Sequence, residues 1–203
     1  MEDCSVKNNM TFAAMNCFLP IVTKKAMPTP AIRKAISKEY RRICANAKDI
    51  GSRNQLLSCY ALAAWYIAMN RCNGRSPQEN YDIMEQGFRG SRLFRLTMGS
   101  ADHYLNPKRV SKQKKWAQDT HQRVYENDWV VDVLPGNGEY DLGYDYFECG
   151  ICKLCRDEGC FELAKYLCKL DFVFADGMGM RLERSCTLAD GGEKCDFRFH
   201  RKP

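Results

Sequence analysis

Trp129-Val130-Val131-Asp132-Val133-Leu134-Pro135-Gly136-Asn137-Gly138-Glu139-Tyr140-Asp141-Leu142-Gly143-Tyr144-Asp145-Tyr146 is the stretch in which the hydrophobic period of this chain changes. Upstream, apolar residues recur three and four apart; here Tyr140, Leu142, Tyr144 and Tyr146 take alternate positions after a Pro-Gly-Asn-Gly turn. Alternation around such a turn predicts a β-hairpin whose first strand runs from Trp129 to Leu134. A second hairpin is predicted at the C-terminal end, with strands over Met180 to Leu188 and Cys195 to His200 and a loop holding Asp190-Gly191-Gly192. In its last strand Cys195, Phe197 and Phe199 share one face, and Asp196, Arg198 and His200 the other.

Working outward, the first thirty residues show no clear period and end in Met27-Pro28-Thr29-Pro30, a stiff extended segment. Ile32, Ala35, Ile36, Ile43 and Ala47 then predict a helix, and Leu56, Leu57, Tyr60, Ala61, Ala64, Ile67 and Ala68 a second one over Asn54 to Cys72. Ser76, Pro77 and Glu79 form a capping box that starts a third, and a fourth is expected from Pro107 to Tyr125. The fold class is therefore α+β: a helical N-terminal half, then an antiparallel sheet of about four strands with a helical insertion between two hairpins. We expect one domain over 1–203, with an extension (1–30), a helical part (31–126) and a sheet part (127–203).

Composition excludes several classes. The 203 residues include 45% hydrophobic side chains, enough for a core, and only 14 glycines, too few for a triplet repeat. The longest apolar run, Tyr60 to Met69, is ten residues, about half of what a membrane-crossing helix needs. The opening Met1-Glu2-Asp3 is acidic where an export signal is basic, so we expect a cytoplasmic protein without membrane contact. There the twelve cysteines, Cys4 among them, are not expected to form a disulfide framework. The net charge of +6 is concentrated between Arg89 and Lys115, where eight cations face one acid, Asp102. Only Phe94, Tyr104 and Trp116 interleave, so a solvated face or a funnel for an anionic substrate is favoured over nucleic-acid binding. No P-loop, G-x-G-x-x-G or G-x-S-x-G is present, and His103, His121 and His200 belong to no short ligand or triad motif.

The insertion, Gly159 to about Gly179, places Asp171 within an apolar stripe of Cys160, Ala164, Leu167, Phe174 and Met178. A buried carboxylate needs a partner or a task, and Arg184, alternating with Leu182 and Cys186, is the candidate partner. Cys149, Cys152, Cys155 and Cys160 have the spacing C-x2-C-x2-C-x4-C, close to an iron–sulfur run but with one residue too many before the last cysteine and no proline after it. Zinc or a cluster on these four is the alternative to plain packing of small buried thiols; no cofactor is otherwise predicted.

The strings Cys149-x2-Cys152-x-Leu154, Leu167-Cys168-x2-Asp171 and Leu182-x-Arg184-x2-Thr187-Leu188-Ala189-x-Gly191-Gly192-x2-Cys195-Asp196-Phe197 resemble the signature of the L-2-amino-thiazoline-4-carboxylic acid hydrolase family. The resemblance is specific over about residues 140–200. Where that family often has Arg-Thr, this chain has Arg184-Ser185-Cys186-Thr187. The resemblance implies opening of a cyclic amidine ring by water to a carbamoyl-cysteine. That chemistry needs a nucleophile, a proton donor and a cation for the substrate carboxylate. On this reading Cys195 or Cys168 attacks, Asp171 or Asp196 acts as base or proton shuttle, and Thr187 with the Gly191-Gly192 amides orients the ring or stabilises the intermediate. Arg184 binds the carboxylate, and Cys149 and Cys152 contribute to substrate binding. The partner is then a small, anionic molecule, with a homo-oligomer compatible. The competing readings are a relative acting on another small ring, a metal-binding protein using Cys149, Cys152, Cys155 and Cys160, and a module that binds a ligand without converting it.

Overall fold

The ten apolar residues from Tyr60 to Met69 have no polar face, so a helix made of them has to be surrounded on all sides. In the computed structural model, which describes residues 10–52 and 54–202, that is their place. The acidic N-terminal opening and Cys4 lie outside the described residues. Helix α3 (Leu57–Cys72) follows α1 (Met10–Val22) and α2 (Pro30–Asn46), and every side chain from Tyr60 to Met69 is buried. Around it pack α1, α2, α4 (Pro77–Gly90) and α8 (Gly150–Asp157).

The one expected cap is present, and a second precedes α2. Thr29 accepts from the Ile32 amide with Pro30 at the first helical position, and the Ser76–Glu79 capping box is closed in both directions. Helix α1 was not expected: its sequence is apolar on nearly every position, which hides a period, yet Phe12, Leu19 and Val22 are buried against the helical core. Two short helices, α5 (Arg92–Met98) and α6 (Ala101–Tyr104), capped by Ser91 and Ser100, fill the basic segment. Helix α7 begins at Pro107 as expected but ends at Thr120 rather than Tyr125. There the Thr120 hydroxyl donates to the Ala117 carbonyl and accepts the Val131 amide, which turns the chain into the sheet.

The sheet has the order β1-β2-β4-β3 with antiparallel neighbours throughout: β1 Val130–Pro135, β2 Leu142–Glu148, β3 Met180–Glu183 and β4 Cys195–Arg201. Both predicted hairpins are present, joined through β2 and β4. The insertion between them is two helices rather than one, α8 and α9 (Ala164–Gly177). Between the two, Gly159 takes a left-handed φ of 66°, the conformation glycine tolerates best. Strand β3 stops at Glu183, five residues short of the expected Leu188, because Arg184 turns inward and Asp196 captures the amides of Ser185 and Cys186. A second apolar cluster, with Val131, Leu142, Met180, Leu182 and Phe199, lies between the sheet and the α6–α7 region. Among the described residues no helix is long and apolar enough to cross a membrane.

Candidate active site

Where the helical core meets the end of the sheet there is a cavity of about 90 Å³. Helix α3 contributes Cys59 and Leu62 to its wall, and α9 contributes Leu167, Cys168, Asp171 and Phe174. The sheet side brings Tyr146 from β2 and Cys195 and Phe197 from β4, paired across the strands as Tyr146 with Cys195. Trp129, just before β1, and Cys149 and Ile151, at the start of α8, line it as well. Among the described residues lining it, Asp171 is the one charged group and no lysine, arginine or histidine appears.

Cys149 is brought in by the way α8 begins. It occupies the N-cap position with extended backbone, and Gly150 follows so closely against the 127–129 segment that a Cβ there would stand 2.6 Å from the Asn127 carbonyl oxygen and 2.8 Å from the Trp129 ring. Lys153 ties the same turn down by donating to the Asp128 carbonyl at 2.7 Å. The Cys149 side chain closes no tight cap hydrogen bond. Its thiol is nevertheless held below the ordinary thiol range, first by the Cys152 thiol directed at its sulfur and then by the amides of Cys152 and Ile151, against burial and the Asp171 charge. This is the thiolate-favouring environment of a helix N-terminus. The other thiols on the cavity behave oppositely: burial pushes Cys195 and Cys59 up to about 12 and Cys168 further still.

Asp171 has its expected partner. Arg184 Nη1 donates to the carboxylate at 2.8 Å and Nη2 to the Cys168 carbonyl at 3.0 Å. The guanidinium lies between the Phe172 and Phe197 rings, about 5 Å from each centroid, with its side chain only 6% exposed. Burial raises Asp171 to about 6, with Arg184 opposing the rise. Asp171 is thus a carboxylate poised to exchange a proton near neutrality. Arg184 stands behind Asp171 and does not line the cavity.

The remaining expected site residues gather one layer out, in the β3–β4 connection and at the start of β4. Asp196 accepts from the Ser185 hydroxyl and from the amides of Ser185 and Cys186, donors that hold its carboxyl well below the usual range despite partial burial. Thr187 caps the turn Leu188–Asp190, Gly191 takes the left-handed φ of 85°, and the Gly192 amide returns to the Thr187 carbonyl. Besides Arg184, the connection meets the cavity wall where the Leu188 amide donates to Cys195 Sγ at 3.2 Å. Cys152 is buried behind Cys149, while Cys155 and Cys160 form a separate thiol pair beside Arg71 and Glu158. Among the described residues no group of three or more His, Cys, Asp or Glu side chains is arranged to hold a metal ion. The cations from Arg89 to Lys115 contribute none of the lining.

Cys59, Trp129 and Tyr146 line the cavity although the sequence reading did not assign them to a site. Tyr146 is one of the alternating apolar positions of the predicted hairpin and Cys59 lies on the apolar helix, but nothing in their spacing shows that the two elements meet.

The sequence model of the L-2-amino-thiazoline-4-carboxylic acid hydrolase family matches residues 54–199. No curated protein and no solved structure matches the chain. The matched span opens just before α3 and runs into β4, well beyond the 140–200 stretch that carries the motifs, and it contains every residue named above as lining the cavity. The chain belongs to the L-2-amino-thiazoline-4-carboxylic acid hydrolase family.

Proposed function

We propose that the protein hydrolyses a small cyclic amidine, L-2-amino-thiazoline-4-carboxylate or a close analogue, with Cys149 as nucleophile and Asp171 as the carboxylate that holds the amidine and relays its protons. One observation carries this reading: a thiol at the N-terminus of α8 and a carboxylate from α9 face the same small, otherwise apolar cavity. The cavity is smaller than the roughly 150 Å³ that accommodates a benzene ring. A substituted five-membered ring therefore enters only as lining side chains shift to admit the ring and its carboxylate.

The steps follow from the groups present. The ionised Asp171 pairs with the protonated amidine, a planar cation with N–H groups that match a carboxylate. The Cys149 thiolate adds to the carbon between nitrogen and sulfur, forming one S–C bond. Asp171 relays a proton to the departing ring atom as its bond to that carbon breaks. Water then adds to the same carbon, giving up a proton to Asp171, and the Cys149 thiolate leaves. One water is consumed, and the product is a carbamoyl-cysteine. Arg184 acts through Asp171, fixing its orientation and limiting the rise that burial imposes. Cys195 and Cys168, the attackers expected from residue chemistry, share the cavity but are neutral thiols near pH 7.

The test is turnover of L-2-amino-thiazoline-4-carboxylate, followed by mass spectrometry of the ring-opened product. Cys149→Ser is expected to lower kcat by about 10³-fold or more, and Asp171→Asn by about 10²-fold or more. Cys195→Ser is expected to stay within about tenfold of the parent, as for a residue that only shapes the wall. Tight binding of the amidine with no product over hours would replace the hydrolase by a binding module.

A further inference from the structure

The C-x-x-C pair Cys149-Gly150-Ile151-Cys152 has a use that ring opening does not require. We propose that Cys149 and Cys152 are a reversible dithiol switch, oxidised to an intramolecular disulfide by a small peroxide that enters through the cavity, which shuts the site.

The geometry points to this pair among the described cysteines. Cys149 caps α8 and Cys152 is its third residue, so the two side chains share the first turn of one helix. A dithiol in a Cys-X-X-Cys motif at a helix N-terminus is the arrangement that favours thiolate at the first sulfur and disulfide exchange with the second. The division of exposure suits the two roles. Cys149 lines the cavity, where a molecule the size of hydrogen peroxide has room, whereas Cys152 is 2% exposed and lies behind it. The two thiols interact, Cys152 lowering Cys149 and Cys149 raising Cys152. Cys59, Cys168 and Cys195 share the cavity but sit on three other elements, α3, α9 and β4.

The chemistry balances with peroxide as oxidant. The Cys149 thiolate attacks one peroxide oxygen, the O–O bond breaks, and hydroxide leaves and takes a proton, giving a sulfenic acid and water. The Cys152 sulfur then attacks the sulfenic sulfur; an S–S bond forms, the S–O bond breaks and a second water leaves. Two thiols and one peroxide become one disulfide and two waters, and a dithiol reductant reverses the change. The disulfide removes the thiolate assigned to ring opening. Its effect on turnover therefore rests on the proposed function, while the disulfide itself does not.

Peptide mapping separates the two. Cleavage after Arg123 and Lys153 releases residues 124–153, in which Cys149 and Cys152 are the only cysteines. After treatment of the reduced protein with hydrogen peroxide sufficient to oxidise free glutathione in the same tube, and trapping with N-ethylmaleimide, this peptide is expected two hydrogens lighter and unlabelled. Dithiothreitol should restore two labels. Cys152→Ser is expected to give Cys149 carrying added oxygen that dithiothreitol returns only in part, and Cys155→Ser to behave as the parent. Peptide 124–153 still carrying two labels after peroxide, or a link from Cys149 to the peptide holding Cys168 or Cys195, would overturn the switch. In a preparation that hydrolyses the amidine, turnover should fall and recover with the disulfide. A disulfide in protein that never turns the amidine over would leave the switch standing and remove the hydrolase.

Discussion

Asp171 is subject to two opposed effects: burial favours its neutral form, and Arg184 at 2.8 Å favours the charged one, with the balance at about 6. If the ionised form binds the amidine, kcat/KM declines as pH falls through about 6, because protonation removes the binding charge. Asp171→Asn should abolish that limb of a kcat/KM–pH profile. The same substitution has a second signature, read without substrate. The Asp171 charge opposes the Cys149 thiolate, so removing it, and leaving Arg184 unpaired, should move the pH profile of Cys149 alkylation to lower pH; an unchanged or higher midpoint would contradict this electrostatic coupling across the cavity. The pairing of Asp171 with Arg184 was legible in the sequence because an acid in an apolar stripe and an arginine among inward strand positions both demand an explanation. The acidity of Cys149 was not, since it depends on where α8 begins and on which amides then face the sulfur.

At the scale of the element, α8 and the β3–β4 connection decide whether those residues meet. Gly150→Ala puts a methyl group 2.6 Å from the Asn127 carbonyl, which must displace the start of α8. The expected cost is about 1–3 kcal/mol in urea unfolding, together with loss of the enhanced reactivity of Cys149. Asp196→Ala leaves the amides of Ser185 and Cys186 without their acceptor. A loss of about 1–3 kcal/mol is expected, with turnover impaired less than by Asp171→Asn, because Asp196 stands outside the cavity. The hairpins were readable from alternation and turn chemistry. Helix α8 was hidden by its own cysteines: over residues 149–160 their spacing suggested metal, whereas the fold divides them into the pair Cys149–Cys152 and the pair Cys155–Cys160. Strand β3 ended early because Arg184 leaves the ladder for Asp171, a tertiary demand that no local pattern announces.

Across the whole molecule, α3 is the axis against which both the outer helices and the cavity are set. Trp65 at its centre is fully buried, donates to the Thr23 hydroxyl at 3.1 Å and meets Tyr40 edge to face. Trp65→Ala is expected to cost about 3–5 kcal/mol and to lower Tm by about 10 °C or more, a loss that thermal unfolding would register. The ten-residue apolar run foretold that central helix, but the junction of α3, α8, α9 and the sheet brings together residues more than a hundred positions apart, and one sequence carries no record of such contacts. The central claim is that Cys149 attacks the ring, and acid quenching during turnover of L-2-amino-thiazoline-4-carboxylate tests it most directly, with the intact protein weighed and then mapped. The account predicts an adduct confined to peptide 124–153 at Cys149 and absent from Cys149→Ser. An adduct on Cys195 or Cys168, or parental turnover by Cys149→Ser, would contradict it.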